Sequence, residues 1–466
     1  MSAPADGRLG RELRATLVLA APLIGVQLLQ MSMSFVDVLM VGRLGTAALA
    51  AAVLGSTVFF TSMLMCIGVI LAVNPTVAQA DGAGDADAVG RAARQGIWLA
   101  VALGAPLTLA FGYAEPALLA TGQAPETAAL AADYLAAIRW GLVPNLALTS
   151  LRGLLEGLER PRAILVTTAL GTVLNVGANE VLMYGRWGLP ALGLEGTGWS
   201  STLVMAAMFV GLALWVAREP TLARYRVLRG LRRPDPAMLG TLARLGVPIG
   251  VTFGLEAGLF TAGTLLVGRL GETALAAHQI ALNAASVTFM VPLGIGMAAT
   301  VRVGQAVGAG APEAARRAGW VAIGLGTAFM VLGAALFWLR PGWVVRAYAG
   351  AAPDPDLAAL AAALLGIAAV FQLVDGLQAT AAGALRGLKD TRVPMVFGAV
   401  AYWGVGLSVG AWLAFSAGMG ARGLWWGLTA GLATAAVLLV WRFAALARRE
   451  IPGGGERGEV ATFAPE

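Results

Sequence analysis

The sequence predicts an all-α membrane protein of twelve transmembrane helices, arranged as two six-helix bundles related by a parallel internal repeat. Three observations carry that prediction. Hydrophobic residues make up 58% of the 466-residue chain and charged residues only 12%, about half the charged share of a soluble domain. The apolar runs reach about 20 residues, the length a helix needs to cross a bilayer. VGRLGTAALAA at 41–51 returns as VGRLGETALAA at 267–277, 226 residues later, with nine of eleven positions identical. Alanine and glycine matches are cheap in such a chain, but a shared arginine inside an apolar frame is not. At the same offset Pro22 falls on Pro248, Gly68 on Gly294 and Gln79 on Gln305. The chain is a duplicated unit.

In the first half the spans are expected at 15–38, 47–72, 92–112, 126–150, 163–184 and 195–216. The first follows Arg8, Arg11 and Arg14, as a secretory leader would. It is too long for one, and its Pro22 recurs inside the repeat, so it is read as a retained span. The second half supplies 241–266, 273–299, 318–338, 357–383, 393–415 and 420–445. An even number per half gives both halves the same orientation, which makes the repeat parallel rather than inverted. The expected organisation is an N-terminal lobe over 1–217, a cytoplasmic link over 218–238 and a C-terminal lobe over 239–450. A Gly- and charge-rich tail over 451–466 is expected to be disordered.

Charge placement sets the orientation. With the N-terminus inside, the outer side keeps only Arg43, Arg186, Arg269, Arg340, Arg346 and Arg422, while the link over 218–236 carries six arginines. The positive-inside rule then places both termini and the link in the cytoplasm. The net charge of +6 is thus a topological signal and calls for no nucleic-acid partner. Cys66 stands alone, so no intrachain disulfide forms. His278 is the only histidine and has no second ligand at metal-site spacing.

A carboxylate at mid-membrane costs about 2.5–3.5 kcal/mol, and each Leu or Val returns only about 0.3–0.6. An acid kept there needs a polar cavity or a partner, and its default reading is functional. Glu256 lies halfway along the seventh span, two turns after Pro248, whose ring loosens the helix and frees nearby carbonyls. Asp375 lies inside the tenth span between Gln372 and Gln378. Their first-half counterparts are Gln30 and Asn145, the latter at an offset of 230 set by the paired loops GLERPR and GLKDTR. The charge is kept only in the second half, so the site is biased towards it. Burial disfavours the charged form, so such an acid can carry a proton, and its ionised oxygens can ligate sodium.

Asp37 lies near the outer end of the first span, and Asn175 and Asn179 are four apart on one helix face, where they could join it in a second polar pocket. Glu180 points about 100° away from Asn179 and is left without a role. Arg139 is the one deep cation, either counter-ion to a carboxylate or snorkelling to an interface. Phe260, Phe289 and Met290 are candidates for holding a lipophilic cation near the acids, with ordinary helix packing as the alternative.

At these residues the chain resembles the multidrug and toxic compound extrusion (MATE) family, and more closely its bacterial NorM-like branch. The resemblance spans nearly the whole chain. It rests on FxDxxMxGxLG at 35–45, E-x-x-L-F at 256–260, ALAAHQIALN at 274–283, PLGIGMAATVRVGQAVGAG at 292–310 and D-x-x-Q…G-x-L-R-G-x-K-D-T-R at 375–392. It implies a two-lobed, monomeric antiporter of the inner membrane that expels organic cations by alternating access as sodium or protons enter, with no other cofactor. The acids expected to couple the cation are Glu256, Asp375 and Asp37, with Glu256 and Asp375 ligating it if the ion is sodium. Asp37, Asn175 and Asn179 match the polar cluster of the first lobe, and Gln279 a glutamine beside the second-lobe cavity. Two departures stand out: Phe371 where the family often has tyrosine, which removes an oxygen ligand, and Glu180 where an apolar residue is common. The alternative within the superfamily is a flippase for lipid-linked oligosaccharides, which would want an arginine-rich cavity. An intramembrane enzyme is disfavoured by one histidine, one cysteine and no metal-spaced cluster.

Overall fold

The computed structural model describes residues 5–227, 231 and 234–448. The tail at 451–466 and part of the link at 218–238 lie outside the described residues. Among the described residues every regular element is helical. The first half holds α1 (Ala5–Gly42), α2 (Thr46–Ile70), α3 (Val73–Gly82), α4 (Ala86–Ala110), α5 (Ala114–Ala120), α6 (Pro125–Ile138), α7 (Leu142–Gly157), α8 (Arg162–Leu182) and α9 (Gly193–Arg218). The second holds α10 (Pro236–Gly268), α11 (Glu272–Gly308), α12 (Pro312–Leu339), α13 (Pro341–Ala349), α14 (Pro355–Gly387), α15 (Arg392–Gly398), α16 (Ser408–Ala411) and α17 (Gly420–Arg448).

Eleven helical segments among the described residues are long and apolar enough to cross a bilayer. The remaining expected span, 126–150, is built as α6 and α7, joined by a tight turn at Arg139–Gly141. Pro144 supplies the reason. It has no N–H for the Trp140 carbonyl, and its ring crowds that carbonyl, so the helix departs from regular α geometry over the preceding turn.

The repeated VGRLG has a local cause. Gly45 and Gly271 precede α2 and α11 at φ 104° and 111°, a region closed to residues with a Cβ. The repeated arginines, Arg43 and Arg269, are both exposed beside these turns.

By packing, the chain divides into two units, Gly25–Gly250 and the two segments Met1–Ile24 and Val251–Glu466. Both divisions fall inside helices, two residues after the prolines of α1 and α10, where the missing N–H weakens the helix. Within one unit, Gly68 of α2 touches the backbone of Gly250, and within the other its repeat counterpart Gly294 of α11 touches Ile24. The first turns of each repeat's leading helix therefore pack with the opposite half of the sequence. Glu12 reinforces this: its two oxygens accept from Arg302 Nε and a terminal nitrogen, each at 3.0 Å. Such a two-point pairing is stronger and more directional than a single contact.

Between α15 and α17 the chain winds in wider turns over Ala399–Leu407 and Trp412–Ser416. Four glycines allow it. A Cβ on Gly427 would overlap the Gly410 backbone, and one on Gly431 would lie 2.7 Å from Gly406 Cα, so the two helices touch main chain to main chain. Wide turns of this kind are rare and cluster at functional sites.

Candidate functional site

In the unit that contains α14, Asp375 is 5% exposed and its Oδ1 has no hydrogen-bond partner. Glu256, from α10, is half-buried and close enough for the two charges to act on each other. Arg386, further along α14, is an opposite charge that acts on Glu256. The wide turn brings Tyr402 into the same region. Its hydroxyl accepts from Gln378 Nε2 at 2.6 Å and stands within electrostatic reach of both acids. Gln378 Oε1 is also buried without a partner. Trp403 donates from Nε1 to the carbonyl of Leu255, the residue before Glu256, at 3.1 Å. Gln372 lies one turn before Asp375, its Oε1 2.8 Å from the Thr288 hydroxyl.

The aromatic residues form one connected wall. Phe260 meets Phe371 edge-on at 6.1 Å between ring centres, and Phe371 meets Trp425 at 5.4 Å. Trp425 Nε1 donates to His278 Nδ1 at 3.1 Å, so the proton of this imidazole sits on Nε2 and faces the Thr264 hydroxyl at 3.0 Å. Thr264 passes its own proton to the Phe260 carbonyl at 2.9 Å. Both ring nitrogens are satisfied, and His278 is a buried tie between α10, α11 and α17. Phe371 is 2% exposed inside this wall, where a hydroxyl would need a partner; the phenol near the acids comes from Tyr402 instead. Phe260 packs against the same core, and Phe289 and Met290 are half-buried on α11. Gln279 is exposed, its carbonyl accepting from Asn283 Nδ2 at 2.8 Å. No hydrogen bond joins it to the acids among the described residues.

The other unit holds a second cluster. Asn179 Nδ2 donates to Asp37 Oδ1 at 2.7 Å. Asn175, fully buried one turn earlier on α8, faces the same carboxylate, but neither end of its amide reaches hydrogen-bond geometry. Tyr184 donates to the Met40 carbonyl at 2.7 Å and holds the end of α1 against the end of α8. Glu180 is an ion-pair residue, 3.0 Å from Arg186. Arg139 makes no ion pair among the described residues; its guanidinium lies 5.2 Å from the centre of the Trp140 ring, which is 53% exposed. Asn145, the counterpart of Asp375, donates to the Met63 sulfur at 3.1 Å.

Sequence reasoning missed two features. Tyr402 drew no attention because its role depends on the wide turn. The other is a buried network that joins α1, α3 and α7. Asn74 Nδ2 donates to Glu156 Oε2 at 2.7 Å, Arg152 Nε lies 3.9 Å from Glu156 Oε1, and Arg152 reaches Gln27 Oε1 at 3.5 Å. The i,i+4 spacing of Arg152 and Glu156 was its one sequence signal. Among the described residues no three of His, Cys, Asp and Glu gather closely enough to hold a metal ion.

Changing Tyr402 to Phe removes the acceptor for Gln378 and leaves its amide buried and unpaired. A loss of about 1–3 kcal/mol is expected, read as a lower thermal midpoint in detergent; an unchanged midpoint would show that this hydrogen bond contributes nothing.

The MatE family model matches residues 22–181 and again 248–412. The two matches begin at Pro22 and Pro248, the offset of the internal repeat. A probable multidrug resistance protein NorM of Pseudomonas aeruginosa is 43% identical over 443 residues, covering 95% of this chain and 91% of that protein. The multidrug resistance protein NorM of Burkholderia vietnamiensis is 45% identical over 446 residues, covering 95% and 96%. Among solved structures, the eukaryotic MATE transporter AtDTX14 superposes with a TM-score of 0.84 at 20% identity over 95% of this chain and 100% of that one. At that identity the likeness establishes the fold.

Proposed function

The chain belongs to the MatE family of multi-pass membrane transporters, and on that premise we propose that it exports organic cations across the bacterial inner membrane in exchange for sodium or protons. One observation carries this: two carboxylates, Glu256 and Asp375, share one region of a membrane-spanning bundle, and Asp375 Oδ1 and Gln378 Oε1 are buried there without partners. Buried oxygens left unpaired are costly, and a proton or a sodium ion relieves that cost. The phenol of Tyr402 completes a set of oxygen donors suited to a hard cation.

An incoming ion neutralises the acids and weakens their hold on an organic cation; its departure restores the charge. The wall of Phe260 and Phe371 beside them offers faces that favour lipophilic cations. Asp37 with Asn179 and Asn175 supplies a second polar site in the other unit. Exchange of one monovalent ion for one monovalent drug moves no net charge, so it draws on the chemical gradient and not on the membrane potential. Both termini and the basic link lie in the cytoplasm, and the working unit is a monomer. The flippase alternative gains no support, because the charges at the site's centre are acidic and would repel a lipid-linked phosphate.

The test uses purified protein in liposomes preloaded with sodium or buffered with a pH dye. Addition of ethidium is expected to release one of the two ions with saturable dependence on drug. Release of neither overturns the exchange mechanism.

A further inference from the structure

We propose that the trough between α8 and α9 binds an anionic phospholipid from the leaflet that borders the link between the two halves. It is an open cavity of about 330 Å³ lined along α8 by Arg162, Val166, Leu170 and Leu174, and along α9 by Gly211 and Trp215. Its floor is tight: a Cβ on Gly171 would lie 2.5 Å from the Met208 sulfur. From Arg162 to Leu174 a helix rises about 18 Å, close to the roughly 15 Å that one leaflet contributes to a hydrocarbon core of about 30 Å. The trough is therefore one acyl chain deep.

Its charge selects the occupant. Arg162 at the mouth and Arg218 at the end of α9 are both exposed, and neither makes an ion pair among the described residues. Neighbouring Arg160 is already taken by Glu219 at 3.6 Å. Trp215, half exposed beside them, is the residue type that settles at head-group depth. Arg162, which lines the slot, and Arg218, about one turn beyond Trp215 on α9, match a phosphate on an acyl chain. They repel the organic cations that the transporter itself would carry, so the trough is not a second drug site.

The experiment is native mass spectrometry of the full-length protein in detergent, titrated with phosphatidylglycerol or phosphatidylcholine of the same acyl composition. Wild type is expected to retain phosphatidylglycerol preferentially, with each arginine contributing about fivefold. The double variant Arg162→Gln, Arg218→Gln, altered only at exposed positions, loses the preference. Gly211→Leu fills the slot, since a Cβ there meets nothing nearer than Thr167 Cγ2 at 4.0 Å, and it reduces retention of phosphatidylglycerol several-fold. Equal retention of the two lipids by wild type, or an undiminished preference in the double variant, overturns the proposal. So does full retention by folded Gly211→Leu; if that variant does not fold, the arginine variants decide alone.

Discussion

Glu256→Gln and Asp375→Asn are each expected to abolish the response of drug export to an ion gradient while leaving the protein folded. Each substitution keeps the shape and the hydrogen-bonding capacity of the side chain and removes its ability to take up and release a cation. Coupling between two bound species is typically worth a factor of about 5–150, and gradient-driven ethidium efflux from vesicles should fall by roughly that amount. Efflux without a gradient should change little. Asp37→Asn should do less, because the Asp37 carboxylate already accepts from Asn179. Full gradient dependence in both second-half variants would remove the acids from the mechanism.

Gly427→Leu should prevent the C-terminal helices from assembling. Ordinary overpacking of a core costs about 1–3 kcal/mol because side chains can turn aside. Here the new Cβ would overlap the Gly410 backbone and sit 2.7 Å from the Gly406 carbonyl oxygen, and backbone cannot rotate away. The wide turns would have to separate from α17, taking Tyr402 and Trp403 with them. Yield of monodisperse protein and thermal midpoint in detergent measure the effect. Gly324→Ala on α12 is the control: nothing lies within 4 Å of its Cβ, and a gain of up to about 1 kcal/mol in helix propensity is expected. A Gly427→Leu protein with a normal midpoint would contradict the contact between α17 and the 399–416 segment.

Much of the fold was legible because it rests on local quantities. Apolar length marked the spans, and the repeated VGRLG marked the turns at Gly45 and Gly271, where a positive φ requires glycine. Asn175 and Asn179, four apart, were readable as one face of one helix. The break between α6 and α7 was less legible, since Pro144 is apolar to a hydropathy count although it denies a hydrogen bond. Arg139 was ambiguous for a related reason. Its guanidinium lies beside the Trp140 ring, a contact that no sequence pattern announces.

Taken alone, the sequence determined that this chain crosses a membrane many times, that it is a duplication, and that two acids interrupt apolar runs of its second half. Hydropathy, period and charge are written along the chain and survive without coordinates. Only the tertiary structure decided what stands beside those acids. Tyr402 meets Gln378 because wide turns rotate it inward, and Phe371 gives up the phenol's place because Trp425 and Phe260 enclose it. The division within α1 and α10 belongs to the same class. Such partnerships join residues far apart in sequence, and close packing of helices, with no local signal to announce it, selects them.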